Sequence, residues 1–259
     1  TQGAHVARWR TGGADGLFLS TQSRFERGQA LRGGVPVVFP WFGDDPEGRG
    51  RPAHGFARRA EWRVVEQADD DAALRVTLEL VDDEHTRALW PERFALRLTA
   101  VLGATLELAL RIENRSERAF RCEQALHTYL AVGDVRRCVV HGLEGARYLD
   151  KLDGMKAKHQ PDESLRFTGE CDRTYLGTEA TCVVEDPVLD RRLEVAKRGA
   201  RSTVVWNPWI EKARRLSDLG DDEWPSFVCV ESGNIGTDAV TLAPGATHEL
   251  GVRIARRAL

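Results

Sequence analysis

Alternation of apolar and polar residues with a period of two is what most constrains this chain. In residues 74–80 (LRVTLEL) the even positions are apolar and the odd ones polar. Residues 94–98 (FALRL) and 106–112 (LELALRI) behave alike, and residues 191–197 and 250–254 continue the pattern. A strand sends successive side chains to opposite faces, so this period marks half-buried antiparallel strands. Gly103-Ala104 offers a Gly-first two-residue link suited to a type II′ hairpin. Asn114-Arg115-Ser116, Asp153-Gly154 and Ala243-Pro244-Gly245 punctuate the pattern as turns. Helical signal is thin: residues 86–90 and 210–216 suit a turn or two each. A parallel α/β sheet would need helices that this chain does not offer, so the expected class is all-β, a β-sandwich with few short helices.

Length and charge narrow the rest. No Ser/Pro/Gly-rich linker or clear repeat divides the 259 residues, so residues 1–259 read as one domain. Thirty-seven basic against forty acidic residues leave a net charge of −3, which points to neither a nucleic-acid nor a membrane partner. Any anion site must be local. No run approaches the roughly 18 apolar residues of a membrane span, and no signal peptide opens the chain. Five scattered cysteines without a CxxC pair read as reduced, mostly buried thiols of a cytoplasmic protein.

Two strand-like runs each carry one titratable group. Extending the alternation through residues 119–132 puts Arg121, Glu123, His127 and Tyr129 on one face, so His127 is expected on the polar face of a central strand. Glu231 follows the apolar run FVCV, whose surroundings should raise its pKa. An imidazole and a carboxylate brought to opposite sides of one ligand make a proton-transfer site. Taken alone, a histidine on a strand is more often a satisfied structural residue, and spacing does not prove that the two meet.

Three further stretches stand out. Residues 32–43 (RGGVPVVFPWFG) place two glycines after Arg32, and Trp41 and Phe42 supply flat apolar surface for a sugar face. A Gly/Pro-rich loop entering a buried strand fits the same residues. His54-Gly55-Phe56-Ala57-Arg58 adds a second arginine; converging with Arg32 it would offer forked donors to a phosphate dianion, whereas most surface arginines are merely solvated. Trp206-Asn207-Pro208-Trp209 should pack down near a site or seal the core, with Lys212, Arg214 and Arg215 facing outward or toward an anion. No His/Cys/Asp/Glu cluster has metal-ligand spacing, and no phosphate loop, dinucleotide fingerprint or G-x-S-x-G occurs.

The order RGGVPVVFPWFG, HGFAR, LHTYL, RYLDK, WNPWIEK and FVCVES resembles the hexose-6-phosphate mutarotases, the glucose-6-phosphate 1-epimerase branch of the aldose 1-epimerase (galactose mutarotase-like) superfamily. The resemblance runs from about Arg32 to Ala243. It implies a large antiparallel β-sandwich with an open, cofactor-free and metal-free sugar site, acting as a monomer on a small sugar phosphate. Carried over by motif, the catalytic pair falls on His127 and Glu231. Substrate-binding residues fall on Arg32, His54, Arg58 and Asp150. Two departures stand out: Ala53 where the family often has Gln, and Ser232-Gly233 after the glutamate. The implied reaction is exchange of α and β anomers of an aldohexose 6-phosphate by acid–base ring opening and reclosure. Alternatives are a non-catalytic carbohydrate-binding sandwich, a mutarotase of unphosphorylated aldoses and, lowest, a glycosidase.

Overall fold

In a computed structural model, which describes residues 1–69 and 72–259, the alternating segments form two large antiparallel sheets. One has nine strands in the order Leu165–Arg166, Val139–His141, Cys182–Asp186, Arg191–Arg198, Thr247–Ala258, Thr105–Asn114, Phe94–Leu102, Leu74–Val81 and Arg63–Asp69. The other has eight strands. Seven run in the order Lys156–His159, Arg147–Asp150, Cys171–Tyr175, Ser202–Asn207, Phe227–Asn234, Gln124–Leu126 and Val37–Val38, and Tyr129–Ala131 pairs separately with Phe227–Asn234.

The period-two reading holds side chain by side chain along Thr105–Asn114 but not along Leu74–Val81. There Thr77 and Glu79 are buried, Glu79 paired with Arg63 and Arg97, while Leu74, Val76 and Leu78 are half-buried. Along Thr105–Asn114, Leu106, Leu108, Leu110 and Ile112 are buried, while Glu107 and Arg111 are exposed. Burying each such leucine contributes about 1.5–3 kcal/mol. These residues join a single apolar cluster with Val205, Val228 and Val230 of the other sheet, so the two sheets share one core. The outermost strand Arg63–Asp69 is exposed throughout, as a charged edge strand should be. Among the described residues helix is confined to Glu84–Leu89 and Trp209–Ala213, apart from single 3-10 turns. Among the described residues no helix is long and apolar enough to cross a membrane. All five cysteines are free and buried.

Two expectations need correction. The Gly103-Ala104 hairpin forms, with Leu102 opposite Leu106, but Gly103 does not take the positive φ of a type II′ turn. Residues 119–132 are not one continuous strand. Phe120–Cys122 pairs with Val240–Leu242 in a separate ribbon, and Gln124–Leu126 and Tyr129–Ala131 both pair with Phe227–Asn234. The pairings Leu126 with Ser232 and Tyr129 with Cys229 share one register. The ladder is therefore interrupted at His127-Thr128, not shifted. Continuing the register across the gap sets His127 opposite Glu231.

Candidate active site

The interruption is stitched in place from behind. The His127 amide donates to the Pro36 carbonyl at 3.0 Å and the Tyr129 amide to Gly34 at 2.9 Å. Gly34 must itself approach another segment closely: at φ +58°, a Cβ there would meet the Val6 carbonyl oxygen at 2.4 Å. The RGG segment thus seats the turn that carries His127. That packing function belongs to the glycines themselves.

Cross-strand neighbours on one face come within about 5 Å at Cβ, and His127 Nε2 lies 3.4 Å from Glu231 Oε1. Both side chains are buried. They stand side by side rather than facing each other across a ligand-sized gap. Tyr129, two residues on, stacks flat on the imidazole, with centroids 4.7 Å apart and planes 8° apart. His54 meets the same ring edge-on at 5.7 Å, and Trp206 at 6.1 Å. His54 Nδ1 accepts from the Gly43 amide at 3.3 Å, which leaves Nε2 as the protonated, donor nitrogen of a neutral ring. Phe42 packs edge-on against His54 at 4.7 Å, its amide held by Glu123 at 2.7 Å. Trp41, by contrast, is buried with its indole N–H on the Pro52 carbonyl and presents no surface to a sugar.

Burial governs the electrostatics. It drives the His127 imidazolium well below the ordinary histidine range, helped by His54, Arg58 and Arg32. His54 is lowered in the same way, with Arg58, Lys151 and Arg32 adding to the effect. Burial raises Glu231 well above the usual carboxylate range; Asp172 adds to this, and Lys151 and Arg58 oppose it. His127 Nδ1 and Glu231 Oε2 are both buried without a hydrogen-bond partner among the described residues. Buried polar atoms are rarely left so.

Arg32 and Arg58 occupy one neighbourhood, each acting on the charge of Tyr129 and of His54. Arg32 donates from Nη1 to the Tyr129 hydroxyl at 3.1 Å, and from Nε and Nη2 to Asp218 Oδ1 at 3.1 and 3.0 Å. Arg58 donates to the Ala53 carbonyl at 2.9 Å, and its Nε is buried without a partner. Burial first, then repulsion from Arg32, pushes the Arg58 pKa down to about 10. The Ala53 contact runs through backbone, so it does not depend on that side chain.

Asp150 is not brought to the pair. Register aligns it with Arg173, Val205 and Val230, whereas Glu231 aligns with Val204, Thr174 and Leu149. By alternation Asp150 therefore projects from the opposite face. Its carboxylate accepts from the Leu152 amide at 3.0 Å and from Lys158 at 2.8 Å. The carboxylate on the face of Glu231 is Asp172, aligned with Trp206 and Cys229. It is buried and lies 3.7 Å from both Lys151 and Lys212. The RYLDK stretch thus reaches the site through Lys151. A sequence signal for Asp172 existed: within CDRTY it and Thr174 are the polar face, against Cys171 and Tyr175. Lys212 bonds Glu170 at 2.7 Å, so it faces a carboxylate rather than an open anion site.

Residues 1–255 match the aldose 1-epimerase family. A protein of Escherichia coli (strain K12) named "Putative glucose-6-phosphate 1-epimerase" is 36% identical over 258 residues, covering 99% of this chain and 86% of its own length. The crystal structure of the mutarotase YeaD of Salmonella typhimurium, described there as putative, superposes with a TM-score of 0.93 at 35% identity, over all of this chain and 85% of that one. Galactose 1-epimerase of Lactobacillus acidophilus NCFM shares the fold at 14% identity, with a TM-score of 0.72 over 99% of this chain and 89% of its own. With the family match spanning nearly the whole length, and the sandwich and its motifs in their places, the chain belongs to the aldose 1-epimerase family.

Proposed function

We propose that this protein interconverts the α and β anomers of an aldohexose 6-phosphate, glucose 6-phosphate being the reference substrate, with His127 and Glu231 as the proton-transfer pair. The observation that carries this is the cross-strand contact at 3.4 Å between two buried titratable groups, each with its other polar atom unpartnered. The anomeric and ring oxygens of a pyranose share one carbon. A donor and an acceptor standing side by side therefore suit them better than two groups across the ring. The names of the relatives at 36–37% identity supply the substrate.

Glu231 takes the proton of the anomeric hydroxyl while protonated His127 gives one to the ring oxygen. The ring C–O bond breaks, leaving an open-chain aldehyde. After rotation about C1–C2 the freed hydroxyl returns its proton to His127 and attacks the other carbonyl face, and Glu231 reprotonates the new anomeric oxygen. Each transfer contributes about 10²- to 10⁴-fold. Burial favours the neutral form of both groups, which places the shared proton on Glu231 before substrate arrives. A phosphate at Arg32 and Arg58 offsets two of the charges that depress His127, moving that proton toward the imidazole. His54, a neutral donor, can hydrogen-bond the oxygen on which charge develops. Asp172, on the same face, is placed to accept from a sugar hydroxyl.

All of these residues come from one chain, and we propose that it works as a monomer in the cytoplasm, where free thiols persist. The test is NMR exchange between the anomers of glucose 6-phosphate and, separately, of glucose. Fast exchange of the phosphorylated sugar, lost in Arg58→Ala through a raised KM, is the expected result. Equal exchange of both sugars would transfer the reading to an unphosphorylated aldose, and no acceleration of either would leave a carbohydrate-binding sandwich.

A further inference from the structure

Each nitrogen of Arg32 is already engaged. Its Nε and Nη2 both meet Asp218 Oδ1 and its Nη1 meets Tyr129, so the fork that would grip a phosphate grips a carboxylate instead. Either Arg32 is no anion site, or Asp218 gives way. The surroundings favour the second. Arg24, Arg32, Arg215 and Asp218 line one surface cleft of about 380 Å³, three guanidinium groups against one carboxylate. Arg24 and Arg215 are exposed, and among the described residues neither forms a salt bridge. Such a cleft carries more positive charge than Asp218 can balance and suits a doubly charged group.

The loop is built so that the side chain can leave while the backbone stays. Leu219 is buried beside it and bonds back to Leu216 at 3.0 Å. Glu223 fastens the far end, taking the Gly220 amide at 2.9 Å, the Ser20 hydroxyl at 2.5 Å, and the Thr21 amide and hydroxyl at 2.8 Å. Asp218 itself is 37% exposed at the side chain, against 20% for Arg32, so rotation about its own bonds carries the carboxylate into water.

We propose that Asp218 is a specificity-determining residue: an internal carboxylate that holds Arg32 until a phosphate dianion replaces it. This rests on the sugar-phosphate reading above. A neutral sugar cannot take a guanidinium from a carboxylate, because its hydroxyls bring no charge to replace the one displaced. A phosphate can, since its two negative charges meet Arg32 and Arg58, both within the reach of Asp218, with Arg24 and Arg215 of the cleft adding positive charge. The competing possibility, that Asp218 merely orients Arg32, predicts the opposite sign on mutation.

The experiment compares wild type, Asp218→Asn and Asp218→Ala in exchange of glucose 6-phosphate, with inorganic phosphate as competing anion. Relieved of the competitor, both variants should lower KM for glucose 6-phosphate and Ki for phosphate by about two- to fivefold, the range a partly exposed ion pair allows. The kcat at saturating substrate and the thermal melting curve should stay as in wild type, showing an intact site. If KM and Ki stay unchanged or rise in the two variants, Asp218 is no competitor and the proposal is overturned. If wild type itself shows no preference for the phosphorylated sugar and no inhibition by phosphate, the substrate reading fails first and this proposal with it.

Discussion

Tyr129 joins the two ends of the site: its ring lies flat on His127, 8° from parallel, while its hydroxyl accepts from Arg32 at 3.1 Å. One residue thus braces the imidazole and fixes one arm of the guanidinium. The phosphate end and the chemical end are held in a set relation by a single rigid side chain with few rotatable bonds. Binding energy gathered far from the anomeric carbon can then position the ring over the proton-transfer pair.

His127→Ala and Glu231→Gln should each slow anomer exchange by about 10²- to 10⁴-fold. Affinity for glucose 6-phosphate should change little, because the charged anchor lies elsewhere. Saturation-transfer NMR gives the exchange rate and isothermal titration the affinity. Unchanged exchange in the His127 variant would remove it from the reaction.

Acid should weaken the fold through histidines that are held neutral. His5 falls from 6.5 to about 4 in the folded chain, chiefly through burial, with Arg58 adding and the Gly33 backbone opposing. The unfolded chain therefore takes up a proton between those two values that the folded chain refuses. Stability is complete above pH 6.5 and is lost as pH falls toward 4. The shift sets an upper bound of about 3 kcal/mol on this loss. His54 and His127 are lowered too and act in the same direction. Urea unfolding at about pH 7 and about pH 4.5 should show a smaller difference for His5→Gln than for wild type; an equal difference would assign the acid sensitivity to other groups.

How far the sequence could be read follows from which distances matter. Period two in LELALRI reports a local fact, which face of a strand is oily, and that face is the buried one. In LRVTLEL the strand forms, but Thr77 and Glu79 are buried on the other face, because Glu79 meets Arg63 and Arg97 of the neighbouring strands. The same rule put His127 and Tyr129 on one face, and their rings stack. It could not see that residues 119–132 break into three pieces, because the break at His127-Thr128 is made by partners far away in sequence, Gly34 and Pro36. The offset that sets His127 opposite Glu231 is likewise a property of pairing, carried by no single strand. Asp150 and Asp172 show the limit most plainly. Motif resemblance pointed to RYLDK, but the strand alternation carried on through Arg147–Asp150 turns that aspartate away and brings its neighbour Lys151 to Asp172.

Gly55 is the part of the HGFAR stretch that backbone geometry demands. It sits at φ +71°, and a Cβ there would fall 1.9 Å from the Phe39 carbonyl oxygen. That neighbour is backbone and cannot swing aside. A left-handed L-residue alone costs about 1–2 kcal/mol, and the clash adds to it. Gly55→Ala should lower the melting temperature and, by shifting His54 and Arg58 on either side, reduce kcat/KM. A melt at the wild-type temperature would mean that the Phe39 backbone gives way at no cost.

Asp172 should tune the base. In the substrate complex the shared proton rests on His127, so exchange should appear as pH rises far enough for Glu231 to shed a second proton. The groups acting on that carboxyl are His127 in contact, Asp172 raising its pKa, and Lys151 and Arg58 lowering it. Asp172→Asn removes the negative charge that raises Glu231 and also frees Lys151, which lies 3.7 Å from Asp172, to act more fully on Glu231. Both effects stabilise the carboxylate. The acid limb of the kcat profile should therefore move to lower pH, by up to about one unit, with Asp172→Glu retaining the wild-type limb. If Asp172 served only to hold its lysines in place, its replacement would lower kcat evenly across pH and leave the limb where it was.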